Sequence, residues 1–119
     1  VVEDPKGKEA LRKAHPYASI LETAALAIVV SARPEDQSGV CDGYWPLDCG
    51  AAVENLLLQA VDLGCGACWC GCWPSPRAAA LQEILNTQSV PVALVAVGVP
   101  DESPAARGHY DPGKVTWLA

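Results

Sequence analysis

Three features that mark other classes of protein are missing from this sequence of 119 residues. No apolar run approaches the roughly 20 residues that a membrane-spanning helix needs, and residues 24–30 are the longest candidate. Lys and Arg number only eight, they are scattered, and the net charge is −6. The first five residues show neither a basic region nor an apolar signal core. We therefore expect no membrane association, no nucleic-acid partner and a cytoplasmic protein.

Histidine is also scarce, and this argues against one kind of catalysis. The chain has two histidines, His15 and His109. Neither stands near a Ser or Cys in a way that suggests a nucleophile and its base. We expect both side chains at the surface.

The order of apolar and turn-forming segments predicts a single domain over residues 1–119 in which helices and strands alternate. Residues 31–44 collect Ser, Pro, Asp and Gly without periodicity, which indicates an exposed loop. The remaining predicted segments are a helix over 4–14, a short helical turn over 19–23, strands over 26–30, 65–73 and 90–97, and a helix over 77–86.

One further helix is apolar around most of its circumference. It opens at Asp48, whose carboxylate favours a helix N-terminus, and ends at Gly64, a suitable residue for a C-terminal cap. Its apolar positions are Ala51, Ala52, Val53, Leu56, Leu57, Leu58, Ala60, Val61 and Leu63. Such a helix has to be buried on several sides, and in a chain this small a partner subunit can cover one of them.

Four of the six cysteines, Cys65, Cys68, Cys70 and Cys72, fall within eight residues. Four thiolates would suit zinc or an iron–sulfur cluster, so a thiolate metal site is one alternative. In a strand, however, the last three lie on one face, with Trp69, Gly71 and Trp73 on the other. Because this spacing closes a tetrahedral site poorly, we favour the second alternative, cysteines buried as small apolar residues.

Several blocks of the chain, taken in order, resemble the nitroreductase family of FMN-dependent, NAD(P)H-oxidising enzymes. They are HPYA from His15, AIVV from Ala27, YWPLDCGAAVENLLLQA from Tyr44 with the following LGCG and WCG, VGVP from Val97, and Arg107 with a terminal Trp. The resemblance implies an α+β fold with a mixed, mainly antiparallel sheet flanked by helices. It also implies a homodimer that pairs through the helix from Asp48 to Gly64 and holds FMN at the interface.

The same resemblance implies the site and the reaction. The segment Trp69, Cys70 and Gly71 would bring backbone N–H groups toward the pyrimidine edge and N5 of the flavin. Arg107 would pair with the FMN phosphate. A hydride would pass from NADH or NADPH to the flavin and then to a nitro compound, quinone or similar acceptor, with no side chain acting as a nucleophile.

Family members begin with a further segment that carries an Arg-rich phosphate-binding motif and an Asn-Gln-Pro stretch beside the flavin. We expect that this segment is absent here and that half of the FMN site is missing with it. A non-catalytic dimeric module, which keeps the scaffold without the cofactor, is therefore a second reading of the same resemblance.

Overall fold

An antiparallel sheet of three strands forms the middle layer of the fold. The structure is a computed structural model and describes residues 1–118. The strands are β1 (Leu26–Ala32), β2 (Gly66–Gly71) and β3 (Val90–Gly98), and they lie in the order β1–β3–β2. Both neighbouring pairs are antiparallel, and Val2 adds an isolated antiparallel bridge to Ala27. The α+β class with an antiparallel sheet is confirmed.

Three helices flank the sheet: α1 (Pro5–Ala14), α2 (Trp45–Asp62) and α3 (Pro76–Leu85). Local sequence explains their ends. The Asp4 carboxylate accepts a hydrogen bond from Gly7 N at 2.8 Å and caps α1, while Ser75 caps α3. Asn86 ends α3 in the left-handed region at φ 48°. Short 3₁₀ turns occupy Ser19–Glu22, Pro34–Asp36, Gly39–Cys41 and Pro112–Lys114.

The two faces of the sheet are covered by different helices. On one face, α1, α3 and the Ser19–Glu22 turn pack Leu11, Leu21 and Leu81 against Cys70 and Leu94. On the other face, α2 packs Val53 against Ala93 and Val95 of β3. Strand β3 lies between β1 and β2 within the sheet and between the two layers of helices, which is why its residues from Pro91 to Ala96 are buried.

The element boundaries correct the sequence prediction in three places. Strand β1 continues to Ala32, two residues into the predicted loop. Helix α2 begins at Trp45 instead of Asp48, since Pro46 fits the first turn of a helix, where its missing N–H group has no partner to lose. Strand β2 is shorter than residues 65–73, because Gly64 adopts φ +72° at the end of α2 and the chain turns toward α3 after Gly71.

The expectation that His15 lies at the surface is wrong. Its side chain is 1% exposed, so it is a polar side chain buried among the apolar side chains of the core. The physical reason is helical periodicity: His15 caps the C-terminal end of α1 four residues after the fully buried Leu11, so its side chain leaves the backbone on the side of the helix that Leu11 buries. His109, in contrast, is exposed as expected.

The outer side of α2 is uncovered in this chain. Leu47, Leu58, Val61 and Leu63 each expose more than half of their surface. The residues that follow β3, from Val99 to Leu118, are exposed throughout, and Trp117 is 87% exposed. None of the helices described within residues 1–118 combines the length and apolar character that crossing a membrane requires.

Candidate functional site

An open groove of about 440 Å³ lies where the end of β2 meets the start of α2. Most of its lining is apolar. The lining residues are Pro46, Gly50, Trp69, Gly71, Trp73, Pro74 and Val92. A flat apolar group fits such a surface better than a highly charged one, since no side chain of this lining carries a charge.

Two tryptophans give the groove its aromatic character, and a third fixes one of them. Trp69 and Trp73 project from the face of β2 and its continuation that looks toward α2, as the strand alternation predicts. Trp45, in the first turn of α2, meets Trp73 edge to face with ring centroids 4.7 Å apart. The early start of α2 at Trp45 is therefore part of how the groove is built.

Gly71 is the point at which the groove reaches the backbone. A Cβ added to Gly71 would meet no atom within 4 Å, so the space that a side chain would fill is open. The N–H of Cys72 donates to Val92 O at 2.9 Å. Because backbone groups alternate along an antiparallel strand, the N–H and C=O of Gly71 point away from β3, toward the edge of the sheet.

The buried imidazole of His15 holds this edge. Its Nε2 lies 2.9 Å from Gly71 O, and its Nδ1 accepts a hydrogen bond from the Tyr17 N–H at 3.3 Å. Since Nδ1 acts as the acceptor, the network assigns the ring proton to Nε2, which donates to Gly71 O. A side chain from α1 is thereby tied to the last residue of β2.

Further contacts connect the end of β2 with the segment after α1 and with α3. Cys70 Sγ donates to Tyr17 O at 3.5 Å, and the Arg77 guanidinium lies 5.3 Å from the centre of the Tyr17 ring. Tyr17 and the His15 ring meet edge to face at 6.1 Å. The segment after α1 and the start of α3 thus meet at the end of β2.

Cys70 and Cys72 lie on the face of β2 and its continuation that points away from the groove. Cys70 and Cys72 are buried in the core with Leu11 and Leu81. Burial, more than the neighbouring thiols, raises the pKa of each to about 11. A cysteine binds a metal as its thiolate, so these surroundings oppose metal binding by the pair, and within residues 1–118 no three His, Cys, Asp or Glu side chains are grouped so that they could hold a metal ion.

The structure brings two of the four predicted cofactor residues together. Trp69 and Gly71 line the groove, whereas the Cys70 side chain points into the core on the other face. Arg107 lies in the exposed segment after β3 and does not line the groove. The roles of all four toward a cofactor stay predictions.

Sequence reasoning did not assign Pro46, Gly50, Trp73, Pro74, Val92 or His15 to this site. Two of them carried a usable signal: Trp73 shares the predicted strand face of Trp69 and Gly71, and His15 lies four residues from Leu11. Val92 could not be foreseen, because a β-bulge displaces it: Val30 pairs with Ala93 and Ser31 with Pro91, which leaves Val92 between them.

A sequence model described as the nitroreductase family matches residues 2–99. The chain belongs to the nitroreductase family. A curated relative from Methanothermobacter thermautotrophicus, provisionally named NADH dehydrogenase/NAD(P)H nitroreductase, is 30% identical over 118 residues. That match covers 97% of this nitroreductase-family chain and 61% of the relative, so the chain spans less than two thirds of the relative's length.

Solved structures of the nitroreductase fold superpose on the chain. One from Clostridium acetobutylicum, provisionally named an NADH oxidase, gives a TM-score of 0.88 at 33% identity and covers 97% of this chain and 70% of its own. A second, from Desulfovibrio desulfuricans, was solved in complex with FMN. It gives a TM-score of 0.69 at 23% identity over 92% of this chain and 64% of its own, and at that identity it supports the fold alone.

Proposed function

We propose that this chain is part of an FMN-dependent oxidoreductase that passes a hydride from NAD(P)H through the flavin to a nitro compound, a quinone or a similar acceptor. The observation that carries the proposal is the open space at Gly71 beside Trp69, in a groove of a nitroreductase-family fold. The homodimer, the cytoplasmic location and the single domain over residues 1–119 belong to the same proposal.

The groove has the chemistry that an isoalloxazine ring requires. The ring is flat, with an apolar dimethylbenzene end and a polar pyrimidine end, and Trp69, Trp73 and Pro46 offer apolar surface to its faces. Gly71 exposes backbone where any side chain would occupy the groove. A backbone N–H group there can donate to the pyrimidine edge of the ring, where negative charge develops on reduction.

The roles follow from these positions. FMN, when bound, supplies the redox chemistry by accepting two electrons and a proton as hydride and passing the electrons on to the acceptor. The chain's own residues bind and orient it. Trp69 and Gly71 contact the ring from the lining of the groove, and Cys70 contributes its backbone in β2 between them. No side chain of the groove is acidic, basic or nucleophilic, which suits a reaction that the cofactor performs.

Arg107 and α2 complete the proposal. We assign Arg107 to the FMN phosphate, because a guanidinium binds phosphate bidentately and the groove itself offers no cation. Since Arg107 does not line the groove, this pairing requires the segment after β3 to approach a groove of the same or the partner subunit. The exposed apolar side of α2 supports pairing with a second copy.

The direct test is to purify the protein, add FMN, dialyse and record the flavin absorbance. Retained absorbance in a stoichiometric amount, with NADH or NADPH oxidation that depends on a nitroaromatic or quinone, is the expected result. A protein that stays colourless after incubation with FMN would contradict the proposal.

A non-catalytic dimeric module is the second candidate. It is favoured by one observation: the seven residues that line the groove include no positive charge to hold a phosphate. The two candidates separate on the same preparation, because this module would dimerise through α2 yet neither retain FMN nor oxidise NAD(P)H.

A further inference from the structure

We propose that His15 is a positioning residue for the flavin site, which fixes the Gly71 backbone from within the core. The inference rests on the proposed function, since it assumes that Gly71 faces the flavin. It adds the residue that caps α1 to a site otherwise formed by α2, by β2 and the segment after it, and by β3.

The position of His15 in the fold makes such a role available. It is the C-terminal cap of α1, where the backbone leaves the helix with φ −125° and ψ 108°. Its side chain turns inward and is 1% exposed. Burying a polar ring is unfavourable unless its polar atoms are paired, and both ring nitrogens are paired, one with Tyr17 N and one with Gly71 O.

The pairing fixes the ring in one orientation. Tyr17 lies two residues further along the chain, and its backbone N–H donates to Nδ1. Nε2 therefore carries the ring proton and acts as the donor. Nε2 then reaches across 56 residues of sequence to Gly71 O at 2.9 Å. This contact spans two elements, α1 and β2, that share no backbone pairing.

Gly71 needs such a contact more than other residues of β2. It is the last residue of the strand, it has no side chain to pack, and its backbone groups point away from β3. In extended backbone, the N–H and C=O of one residue point the same way. A donor that fixes Gly71 O therefore also fixes the direction of Gly71 N–H, the group proposed to face the flavin.

The expected consequence is a difference between the two redox states of the flavin. A fixed N–H donor stabilises the reduced ring more than the oxidised ring, because the reduced ring carries more negative charge at that edge. Without His15, we expect reduced FMN to lose affinity about tenfold more than oxidised FMN. For a two-electron couple, that ratio lowers the midpoint potential of the bound flavin by about 30 mV.

The test compares His15→Leu, which removes both ring nitrogens, with His15→Gln, which can still donate at about the reach of Nε2. Lys8→Met is the matched control: it also removes hydrogen bonds from α1 to backbone carbonyls, those of Ala24 and Ala25, but away from Gly71. The readouts are the Kd for FMN, the midpoint potential of the bound flavin and the thermal unfolding temperature.

A positioning role predicts a lower potential in His15→Leu, recovery of much of the change in His15→Gln, and an unchanged potential in Lys8→Met even if that variant is less stable. Equal potentials in His15→Leu and the wild type would overturn the inference. Failure of the wild type to bind FMN would instead overturn the proposed function.

A measurement on the wild type covers the case in which His15→Leu does not fold. Nitrogen-15 NMR of the imidazole distinguishes the two neutral tautomers. We expect the proton on Nε2, with a hydrogen-bond coupling to the Gly71 carbonyl carbon. A proton on Nδ1 would contradict the geometry on which the inference depends.

Discussion

At Gly71 the backbone is open toward the groove and tied to His15 through its carbonyl. A side chain at this position would enter the groove without disturbing the protein, because a Cβ meets nothing within 4 Å and the backbone is ordinary strand. We expect Gly71→Val to raise the Kd for FMN at least about tenfold, equivalent to about 1.4 kcal/mol, through steric exclusion of the ring. Flavin fluorescence titration measures the change.

Gly39→Val is the control for this substitution. Gly39 also has open space at the position of its Cβ, but it lies in a 3₁₀ turn outside the groove. It should bind FMN like the wild type. Equal affinity in Gly71→Val and Gly39→Val would show that the flavin does not approach Gly71.

The cysteine cluster divides by accessibility. Cys72 is fully buried and Cys70 nearly so, and burial raises the pKa of each thiol from 9.0 to about 11. A raised pKa keeps a thiol protonated and unreactive near neutrality, since the thiolate is the nucleophile. At pH 8 we therefore expect iodoacetamide to label the exposed Cys41 and Cys68 much faster than Cys70 and Cys72.

Mass spectrometry of peptides from a labelling time course measures these rates. Raising the pH toward 11 should increase the labelling of the buried pair, because the thiolate fraction grows up to the raised pKa. Denatured protein, in which all six cysteines should react, is the control. Labelling of Cys72 as fast as Cys41 in the folded protein would refute the burial on which the structural reading of the cluster depends.

At the scale of elements, the sequence predicted what local rules decide. The order of helices and strands, the role of Gly64 as the glycine that follows and terminates α2, and the two faces of β2 follow from periodicity and capping, and the structure confirms them. The start of α2 was missed because Tyr44 offers no capping side chain, so Asp48 carried a stronger local signal than Trp45. The burial of His15 had a local signal in its spacing from Leu11, but its hydrogen bond to Gly71 and the bulge at Val92 depend on partners distant in sequence, which no local pattern encodes.

Substitutions of two glycines, Gly50 within α2 and Gly64 just after it, should change the free energy of unfolding in opposite directions. Gly64 has φ +72°, so Gly64→Ala should destabilise the protein by about 1 kcal/mol, the cost of a Cβ in the left-handed region. Gly50 lies inside the helix with open space at its Cβ, so Gly50→Ala should stabilise it by up to about 1 kcal/mol.

Urea unfolding of both variants beside the wild type measures these free energies. The same chemical change is made in each, which controls for the added methyl group. A destabilising Gly50→Ala would mean that the helix is not regular at that point, and a neutral Gly64→Ala would mean that the cap tolerates a side chain.

At the scale of the whole molecule, the outer side of α2 exposes apolar side chains that nothing else in the described part of the chain covers. Its outer stripe repeats at steps of four and three residues, through Leu47, Ala51, Glu54, Leu58 and Val61, opposite the buried Val53. This is the spacing with which one helix packs along another. A second copy of the chain would place the same stripe against itself, as a symmetric dimer requires.

Charge placed in the middle of that stripe should therefore separate the subunits. We expect Leu58→Lys to weaken dimerisation on the order of 100-fold, because a lysine would be buried without a partner. Glu54→Gln should have the opposite effect, since both copies contribute this carboxylate to one interface and like charges repel. Sedimentation velocity over a concentration series measures both.

Val40→Lys, at a 90% exposed loop position, should leave the dimer unchanged. If the wild type sediments as a monomer at every concentration, α2 is not a subunit interface and the flavin site has to be completed in another way.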